Sequence, residues 1–242
     1  MAMSSRPSPP LSVAEVYRRY AAGRPALRGV ILPDLLPHVV CGAAFRRPGR
    51  VKVLFVAESP PWSAGRQEVV RPQDCRRPDY PYFWNDRYTT WHHRVMAPLS
   101  GGLAENLFRL LGLRGKSRRE NLDLFSDAGF FLVDTVKCVF RKNRKPVIPA
   151  DLIRMSAREV LAPEVAALAP ECIVLLGNTA LAGFLEIEPY ATALAGVGRI
   201  TDDPPESLFE EHRLLCLPYP GRWNRRYLDR IESGFLAIRD LV

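Results

Sequence analysis

Two acidic residues lie at or near the ends of apolar, strand-like runs, where their carboxylates could act on a bound ligand. Glu58 follows the apolar, β-branched residues 51–57 and enters a Pro-rich turn, and Asp134 lies near the end of the apolar run 129–136. In open α/β sheets, ligands bind in the crevice outside the carboxyl ends of the strands. The sequence therefore predicts that both carboxylates lie at a ligand site, although Glu58 alone is compatible with several chemistries.

Two further turns repeat this arrangement. Residues 172–177 form a third apolar run that leads into a helix start at residues 178–180. Residues 213–217 form a fourth run, which leads into the aromatic and Arg-rich segment 218–226. Because all four runs end in turns with polar or aromatic side chains, they indicate a composite site and not an isolated acid.

Helical periodicity separates these runs. The capping-box spacing of Ser12 and Glu15 predicts a short helix through residue 22. Apolar residues at helical spacing predict further helices at residues 91–111, at residues 149–168 and in a closing segment to about residue 241. Strands that alternate with helices form parallel sheets covered by helices on both faces. We therefore predict a three-layer α/β/α sandwich with a central four-stranded parallel sheet.

The length of 242 residues and the hydrophobic content of 47% suit one domain, which we place at residues 12–242 after a disordered leader at residues 1–11. The leader is rich in Ser and Pro and lacks the apolar core of a signal peptide, and no later apolar run approaches the length of a membrane span. We expect a soluble, cytoplasmic monomer without a membrane partner.

Charge and cysteine usage narrow the class of ligand. Lys and Arg number 34 against 26 Asp and Glu, so the net charge of +8 favours a polyanionic partner such as nucleic acid. The five cysteines are widely separated and form no C-x-x-C pair, which argues against a disulfide framework and against a compact zinc or iron–sulfur motif. We predict no metal and no cofactor. Nucleotide-binding glycine motifs and a G-x-S-x-G hydrolase elbow do not occur in the sequence.

Four short motifs, in this order, resemble those of the uracil-DNA glycosylase superfamily. They are Val-Ala-Glu-Ser-Pro-Pro at 56–61, Val-Asp-Thr-Val-Lys-Cys at 133–138, Ile-Val-Leu-Leu-Gly-Asn-Thr-Ala at 173–180 and Leu-Pro-Tyr-Pro-Gly at 217–221. The resemblance spans roughly residues 50–240. It is closest to the thermophilic iron–sulfur class, whose first turn also begins with glutamate, but this chain lacks the cysteines of that class's cluster. The resemblance implies the predicted fold and a role for DNA as partner.

The same resemblance implies roles for individual residues. Glu58 matches the turn that positions or activates water near the sugar, and Tyr219 stands where most members have a histidine, so both are predicted to be catalytic. Asp134 takes the place of an Asn that reads the base in the iron–sulfur class. The predicted base-binding residues are Ser59, Phe83, Asn85 and Asp134, with Phe83 as the stacking aromatic. The predicted DNA-binding residues are Lys137, Arg141, Arg144, Arg222, Trp223, Asn224 and Arg225.

Structural alternatives remain open for these residues. Glu58 could cap the turn that follows it, and Asp134 could form an ion pair with Lys137 or Arg141. Phe83 could pack in the core, and Tyr219 could be a packed ring with one hydrogen bond. An ionised Asp134 would also repel the acceptor oxygen of uracil, whereas it could accept a hydrogen bond from an amine or ring N–H of another base.

Our main hypothesis is a monofunctional DNA-base glycosylase. Such an enzyme flips a damaged or deaminated base, uracil or a related one, out of DNA and hydrolyses its N-glycosidic bond in base-excision repair. The alternative is a catalytically impaired, glycosylase-like module that binds nucleic acid or a nucleotide, which the missing histidine favours. A small-molecule α/β hydrolase is a third class, disfavoured by the absence of the serine elbow.

Overall fold

Four buried strands form an all-parallel central sheet. In the computed structural model, the described residues are 12–24, 31–32, 47–60, 78, 80, 82–88, 98–140, 148–201 and 207–242. The strands of the sheet are β2 (Val53–Ala57), β3 (Phe130–Asp134), β5 (Cys172–Leu176) and β6 (Leu214–Leu217), in the order β3-β2-β5-β6. A separate two-stranded antiparallel ribbon pairs β1 (Ile31–Leu32) with β4 (Val139–Phe140).

Helices flank the central sheet, so the predicted α/β class and its four-stranded parallel sheet are confirmed. The helices are α1 (Val13–Ala22), α2 (Leu103–Leu110), α3 (Arg118–Asp127), α4 (Ala150–Ser156), α5 (Ala162–Leu168), α6 (Asn178–Phe184), α7 (Tyr190–Ala193), α8 (Ser207–His212) and α9 (Leu228–Arg239). A π-helical turn (Ala157–Leu161) joins α4 to α5, and a 3₁₀ helix (Arg222–Tyr227) precedes α9. Among the described helices, none is long and apolar enough to cross a membrane.

The strands are buried on both sides because their sequences are continuous apolar runs without polar alternation. All five residues of β2, β3 and β5 are buried. Such runs are typical of parallel strands covered by helices on both faces. Phe55 lies at the centre of this core and contacts the rings of Phe125, Phe130 and Phe235 at centroid distances of 5.8–5.9 Å. This packing joins helices α3 and α9 to the sheet.

Two helix predictions need correction. The helix predicted at residues 91–111 begins only at Leu103; residues 91–97 lie outside the described residues, and a turn that includes Leu99 at φ 56° precedes the helix. The helix α3 was not predicted. Its start is marked in the sequence by Ser117, whose side chain accepts a hydrogen bond from the Glu120 amide at 3.1 Å. The low apolar content of α3 concealed it from a search based on periodicity.

Candidate active site

The ends of strands β2 and β3 bring Glu58 and Asp134 to the same edge of the sheet. In the parallel register, Ala57 is the partner of Asp134, so Glu58 follows directly beside it. Hydrogen bonds continue past the strands, from the Thr135 amide to the Ala57 carbonyl at 2.8 Å and from the Val136 amide to the Glu58 carbonyl at 3.0 Å. The backbone therefore fixes the two acids next to each other, as the sequence predicted for strand ends.

Asp134 is buried, with 4% of its surface exposed. Burial raises the pKa of its carboxyl to about 7, the positive charge of Lys137 opposes this shift, and the negative charges of Glu164 and Glu58 add to it. Loss of hydration penalises the charged form of a carboxyl, and a neighbouring carboxylate does the same. Asp134 is therefore a carboxyl group that holds its proton to near-neutral pH.

Glu58 is half-buried and is held by a residue that the sequence search did not single out. The hydroxyl of Thr179, in the first turn of α6, donates to Glu58 Oε2 at 2.9 Å. Helix α6 begins after Gly177, whose φ of 92° favours glycine. The motif at residues 173–180 was identified as a structural strand-to-helix junction, and its Thr179 adds a direct contact to the acid. Ser59 is half-buried immediately after Glu58.

Tyr219 lies against two glycines at the same edge of the sheet. A Cβ atom on Gly221 would approach the Tyr219 ring to 2.9 Å, and one on Gly177 would lie 3.4 Å from the Tyr219 Cβ. Burial raises the pKa of the Tyr219 phenol well above its usual value, and the charges of Asp134, Glu58 and Glu105 raise it further. Tyr219 is thus a neutral phenol that lies near a group of acidic side chains.

Phe83 and Asn85 of the aromatic segment at residues 80–85 are packed within the protein in this structure, and their predicted base-binding roles stay predictions. Phe83 is only 4% exposed, and its ring packs against Trp84, Phe108 and Phe125 at centroid distances of 5.0–5.8 Å. Neither face of this ring is open to a base. The side-chain amide of Asn85 donates to the Tyr80 carbonyl at 2.7 Å and accepts from the Arg87 backbone amide at 3.1 Å. These two bonds stabilise the loop conformation.

Two tyrosines of the same segment lie near Asp134. Tyr80 and Tyr82 are buried, and burial raises the pKa of each phenol well above its usual value. The charge of Asp134 contributes to both shifts, so both phenols lie close to that carboxyl. The aromatic composition of the segment predicted an ordered loop at the site, but not which of its rings approaches Asp134.

A buried arginine fixes the aromatic segment in place. Arg118, at the start of α3, donates to the carbonyls of Asn85 at 2.7 Å and of Tyr82 and Phe83 at 2.9 Å each. It also donates to Glu105 Oε1 at 2.6 Å. These bonds connect the segment to helix α2 and hold Glu105 near Tyr219. The sequence search missed Arg118 because a single Arg on a polar helix carries no local signal of burial.

Lys137 is buried in this structure, and its predicted role in DNA binding stays a prediction. Its side chain has 0% exposure, and its ammonium pairs with Glu164. A lysine is almost never buried unless it is paired, and Glu164 provides the partner. Sequence position alone suggested a phosphate contact because Lys137 opens the basic run 137–145. Residues 141–145 of that run, including Arg141 and Arg144, lie outside the described residues.

The segment after β6 presents an exposed tryptophan between cations. Trp223 is 81% exposed, and the Arg222 guanidinium lies over its ring at 4.6 Å. The Asn224 side chain donates to the Tyr219 carbonyl at 2.8 Å, and Arg225 donates to the Pro98 carbonyl at 3.1 Å. These contacts link the exposed segment to Tyr219. Within the described part of the chain, no group of three His, Cys, Asp or Glu side chains could hold a metal ion.

The substitution Asp134→Asn should stabilise the protein at pH 8 by about 2–4 kcal/mol, with no gain near pH 4. The pKa of Asp134 is higher in the folded protein than in the unfolded chain, so the folded state holds its proton more tightly. The stability that the protonated Asp134 contributes is fully present below the pKa of the unfolded chain. It is lost as the pH rises through the folded pKa of about 7. Urea unfolding of both proteins from pH 4 to pH 8 measures it. A gain that does not change with pH would contradict the raised pKa.

The comparison with known families agrees with this geometry. A family model described as the uracil DNA glycosylase superfamily matches residues 80–238, a range that contains Asp134, Thr179 and Tyr219 but begins after Glu58. No curated protein and no solved structure matches the chain. The family match covers more than half of the 242 residues and includes three of the four strands of the central sheet, so the chain belongs to the uracil-DNA glycosylase superfamily.

Proposed function

We propose that the protein is a monofunctional DNA glycosylase, which acts as a monomer in base-excision repair and hydrolyses the N-glycosidic bond of a flipped, deaminated base. The observation that carries this proposal is the convergence of Glu58, Asp134 and Tyr219 at the carboxyl edge of one sheet. Membership of the superfamily supports DNA as the partner and glycosidic cleavage as the reaction.

The three side chains match the charge that such a reaction develops. Cleavage of the N-glycosidic bond leaves positive charge on the sugar and negative charge on the departing base. A carboxylate near the sugar and a hydrogen-bond donor near the base stabilise these two charges. We assign the first task to Glu58, which Thr179 orients, and the second to Tyr219, whose phenol remains protonated. Asp134 then contacts the base edge.

The exposed segment after β6 would contact the DNA. Flipping a base out of a duplex costs a few kcal/mol, which an inserted side chain and new contacts can offset. Trp223 has the exposure that insertion requires, and Arg222 next to it can approach a phosphate. The hydrogen bond from Asn224 to the Tyr219 carbonyl joins this segment to the reaction site.

One assay tests the proposed function. Duplex and single-stranded oligonucleotides that carry uracil, hypoxanthine or xanthine are incubated with the protein and then treated with alkali, which cleaves the strand at abasic sites. We expect cleavage at the modified base and none in an unmodified oligonucleotide. Retained DNA affinity without cleavage of any substrate would instead support a binding module, the second candidate, which the replacement of the family histidine by Tyr219 favours.

The substitution Arg222→Gln should reduce the salt dependence of DNA binding. Each phosphate contact contributes about −0.9 to the slope of log K against log salt concentration for duplex DNA, so the slope should become smaller by about that amount. Fluorescence anisotropy between 50 and 200 mM salt measures the slope. Arg239→Gln, an exposed change at the far end of α9, is the matched control and should leave the slope as in the wild type. An unchanged slope for Arg222→Gln would remove this residue from the interface.

A further inference from the structure

A buried ion pair lies beside Asp134. Lys137 follows Asp134 by three residues, has no exposed surface and pairs through its ammonium with Glu164 on helix α5. Both charges act on Asp134, since Lys137 lowers and Glu164 raises the pKa of its carboxyl. Glu164 therefore offsets part of the positive charge that Lys137 brings close to Asp134.

Buried hydroxyl groups hold the backbone of Lys137 in place. The Lys137 amide donates to the Tyr17 hydroxyl at 2.6 Å, which ties the segment after β3 to helix α1. Tyr17 also bonds to the Ser156 hydroxyl at 2.6 Å, and Ser156 donates to the Thr135 carbonyl at 2.6 Å. All of these groups are buried, so the position of Lys137 relative to Asp134 is fixed by side chains from two helices.

Glu164 reaches this position through an irregular helix. Residues 150–168 form one continuous helical path in which the π-helical turn at Ala157–Leu161 precedes Pro163. Proline has no amide to donate in a helix interior, and a π turn is one way in which a helix accommodates such a break. Glu164 comes directly after this proline, and its carboxylate accepts the bond from Lys137.

Other titratable groups surround Asp134 from several elements. Two carboxylates and one ammonium act on it, namely Glu58 after β2, Glu164 on α5 and Lys137 after β3. Four phenols also interact with its charge, namely Tyr17 on α1, Tyr80 and Tyr82 on the aromatic segment, and Tyr219 after β6. Since Glu164 offsets only part of the charge of Lys137, an ionised Asp134 would lie buried beside the like charges of Glu58 and Glu164. When two carboxyl groups lie side by side in a buried site, ionising both is unfavourable because their negative charges repel each other. One of the two therefore keeps its proton.

We propose that Asp134 reads the target base as a neutral carboxylic acid, that its burial keeps it neutral because Glu164 offsets part of the charge of Lys137, and that the site is thereby directed at bases with a lactam edge. This inference rests on the proposed glycosylase function. A neutral carboxyl presents one donor and one acceptor, as a primary amide does. A lactam edge, a carbonyl next to a ring N–H, is complementary to that arrangement. Uracil, hypoxanthine and xanthine all present such an edge.

The ionised form selects a different edge. A carboxylate only accepts hydrogen bonds, so it would repel a base carbonyl and favour an edge with two donors, such as a ring N–H beside an exocyclic amine. The acid at position 134 therefore does not exclude uracil, contrary to the expectation for a charged side chain. Cleavage of lactam bases should instead decline as the pH rises through the titration of Asp134.

The test combines a direct titration with a pH profile of cleavage. The Asp134 carboxyl is followed by ¹³C NMR of protein labelled at aspartate, with Asp134→Asn to assign the signal, and single-turnover cleavage of uracil and hypoxanthine oligonucleotides is measured from pH 6 to pH 9. For the wild type we expect the rate to fall about tenfold per pH unit above the NMR midpoint. For Asp134→Asn we expect no such decline, whatever the absolute rate.

Two variants of the ion pair separate electrostatic control from a structural role. Glu164→Gln leaves Lys137 charged and unopposed, so both the NMR midpoint and the pH profile should move to lower pH by one unit or more. The double variant Lys137→Met/Glu164→Gln removes both charges and should return both midpoints towards the wild-type value. A merely structural role would reduce stability without moving either midpoint.

The outcomes distinguish this inference from the proposed function. Asp134 ionised at pH 5 in the wild type, or a cleavage profile that is the same in Glu164→Gln and wild type, would overturn the inference while the enzyme remains a glycosylase. NMR midpoints that shift as expected, with no base released from any oligonucleotide, would refute the glycosylase function and the base-reading role. They would still support control of the Asp134 charge by Lys137 and Glu164.

Discussion

Replacing Glu58 by Gln should lower the rate of base release by a factor of about 10²–10³ and leave DNA affinity nearly unchanged. Glutamine keeps the shape of the side chain and can still accept the bond from Thr179, but it removes the negative charge that stabilises the sugar in the transition state. Interactions made only in the transition state affect the chemical step and not ground-state binding. Single-turnover kinetics and fluorescence anisotropy measure the two quantities separately.

Two further variants make the result for Glu58 specific. Glu232→Gln removes an exposed acid from helix α9 and should react at the wild-type rate. Thr179→Val removes the hydroxyl that orients Glu58 and should cost less than Glu58→Gln itself, on the order of tenfold. Equal rates for Glu58→Gln and wild type would contradict the assignment of Glu58 as a catalytic residue.

Replacing Arg118 by Met should destabilise the protein by about 3–5 kcal/mol. The change leaves the buried carboxylate of Glu105 without this cation and removes three hydrogen bonds to the aromatic segment. Loss of one partner of a buried ion pair is costly because the other charge remains buried. Urea unfolding measures the free-energy difference, and the value applies to a two-state transition.

The matched control for this prediction is Arg114→Met. Arg114 is exposed in the turn before α3, and surface substitutions of this kind usually change stability by within about 0.5 kcal/mol. A loss below about 1 kcal/mol for Arg118→Met would show that Arg118 does not hold the aromatic segment as described.

The fold was accessible from the sequence because its strands carry strong local signals. Each strand of the central sheet is a short apolar run that ends in a turn residue, so the four strands and their parallel arrangement followed from patterning alone. The adjacency of Glu58 and Asp134 followed from the rule that parallel strands share a carboxyl edge. The family match begins at residue 80 and so does not include Glu58. Glu58 reaches the site because β2, the strand that precedes it, pairs with β3 and β5.

The environment of each site residue was much less accessible. In the sequence, Lys137 and Arg118 resemble surface cations. In the structure both are buried, and each pairs with an acid from another part of the chain, Glu164 or Glu105. Phe83 looks like a stacking aromatic, yet its neighbours in space enclose it. Burial and ion pairing depend on tertiary contacts, which single residue types and their spacing do not report. The same limit concealed the proton on Asp134, since its pKa depends on burial and on Glu164.

The most direct test of the proposed reaction is detection of the free base. A duplex oligonucleotide with one uracil is incubated with wild-type protein below pH 7, and the products are analysed by mass spectrometry. We predict equal amounts of free uracil and of an intact strand that carries one abasic site, with formation of both strongly reduced in Glu58→Gln. Bound but intact oligonucleotide, with no free base from uracil, hypoxanthine or xanthine substrates, would contradict the account.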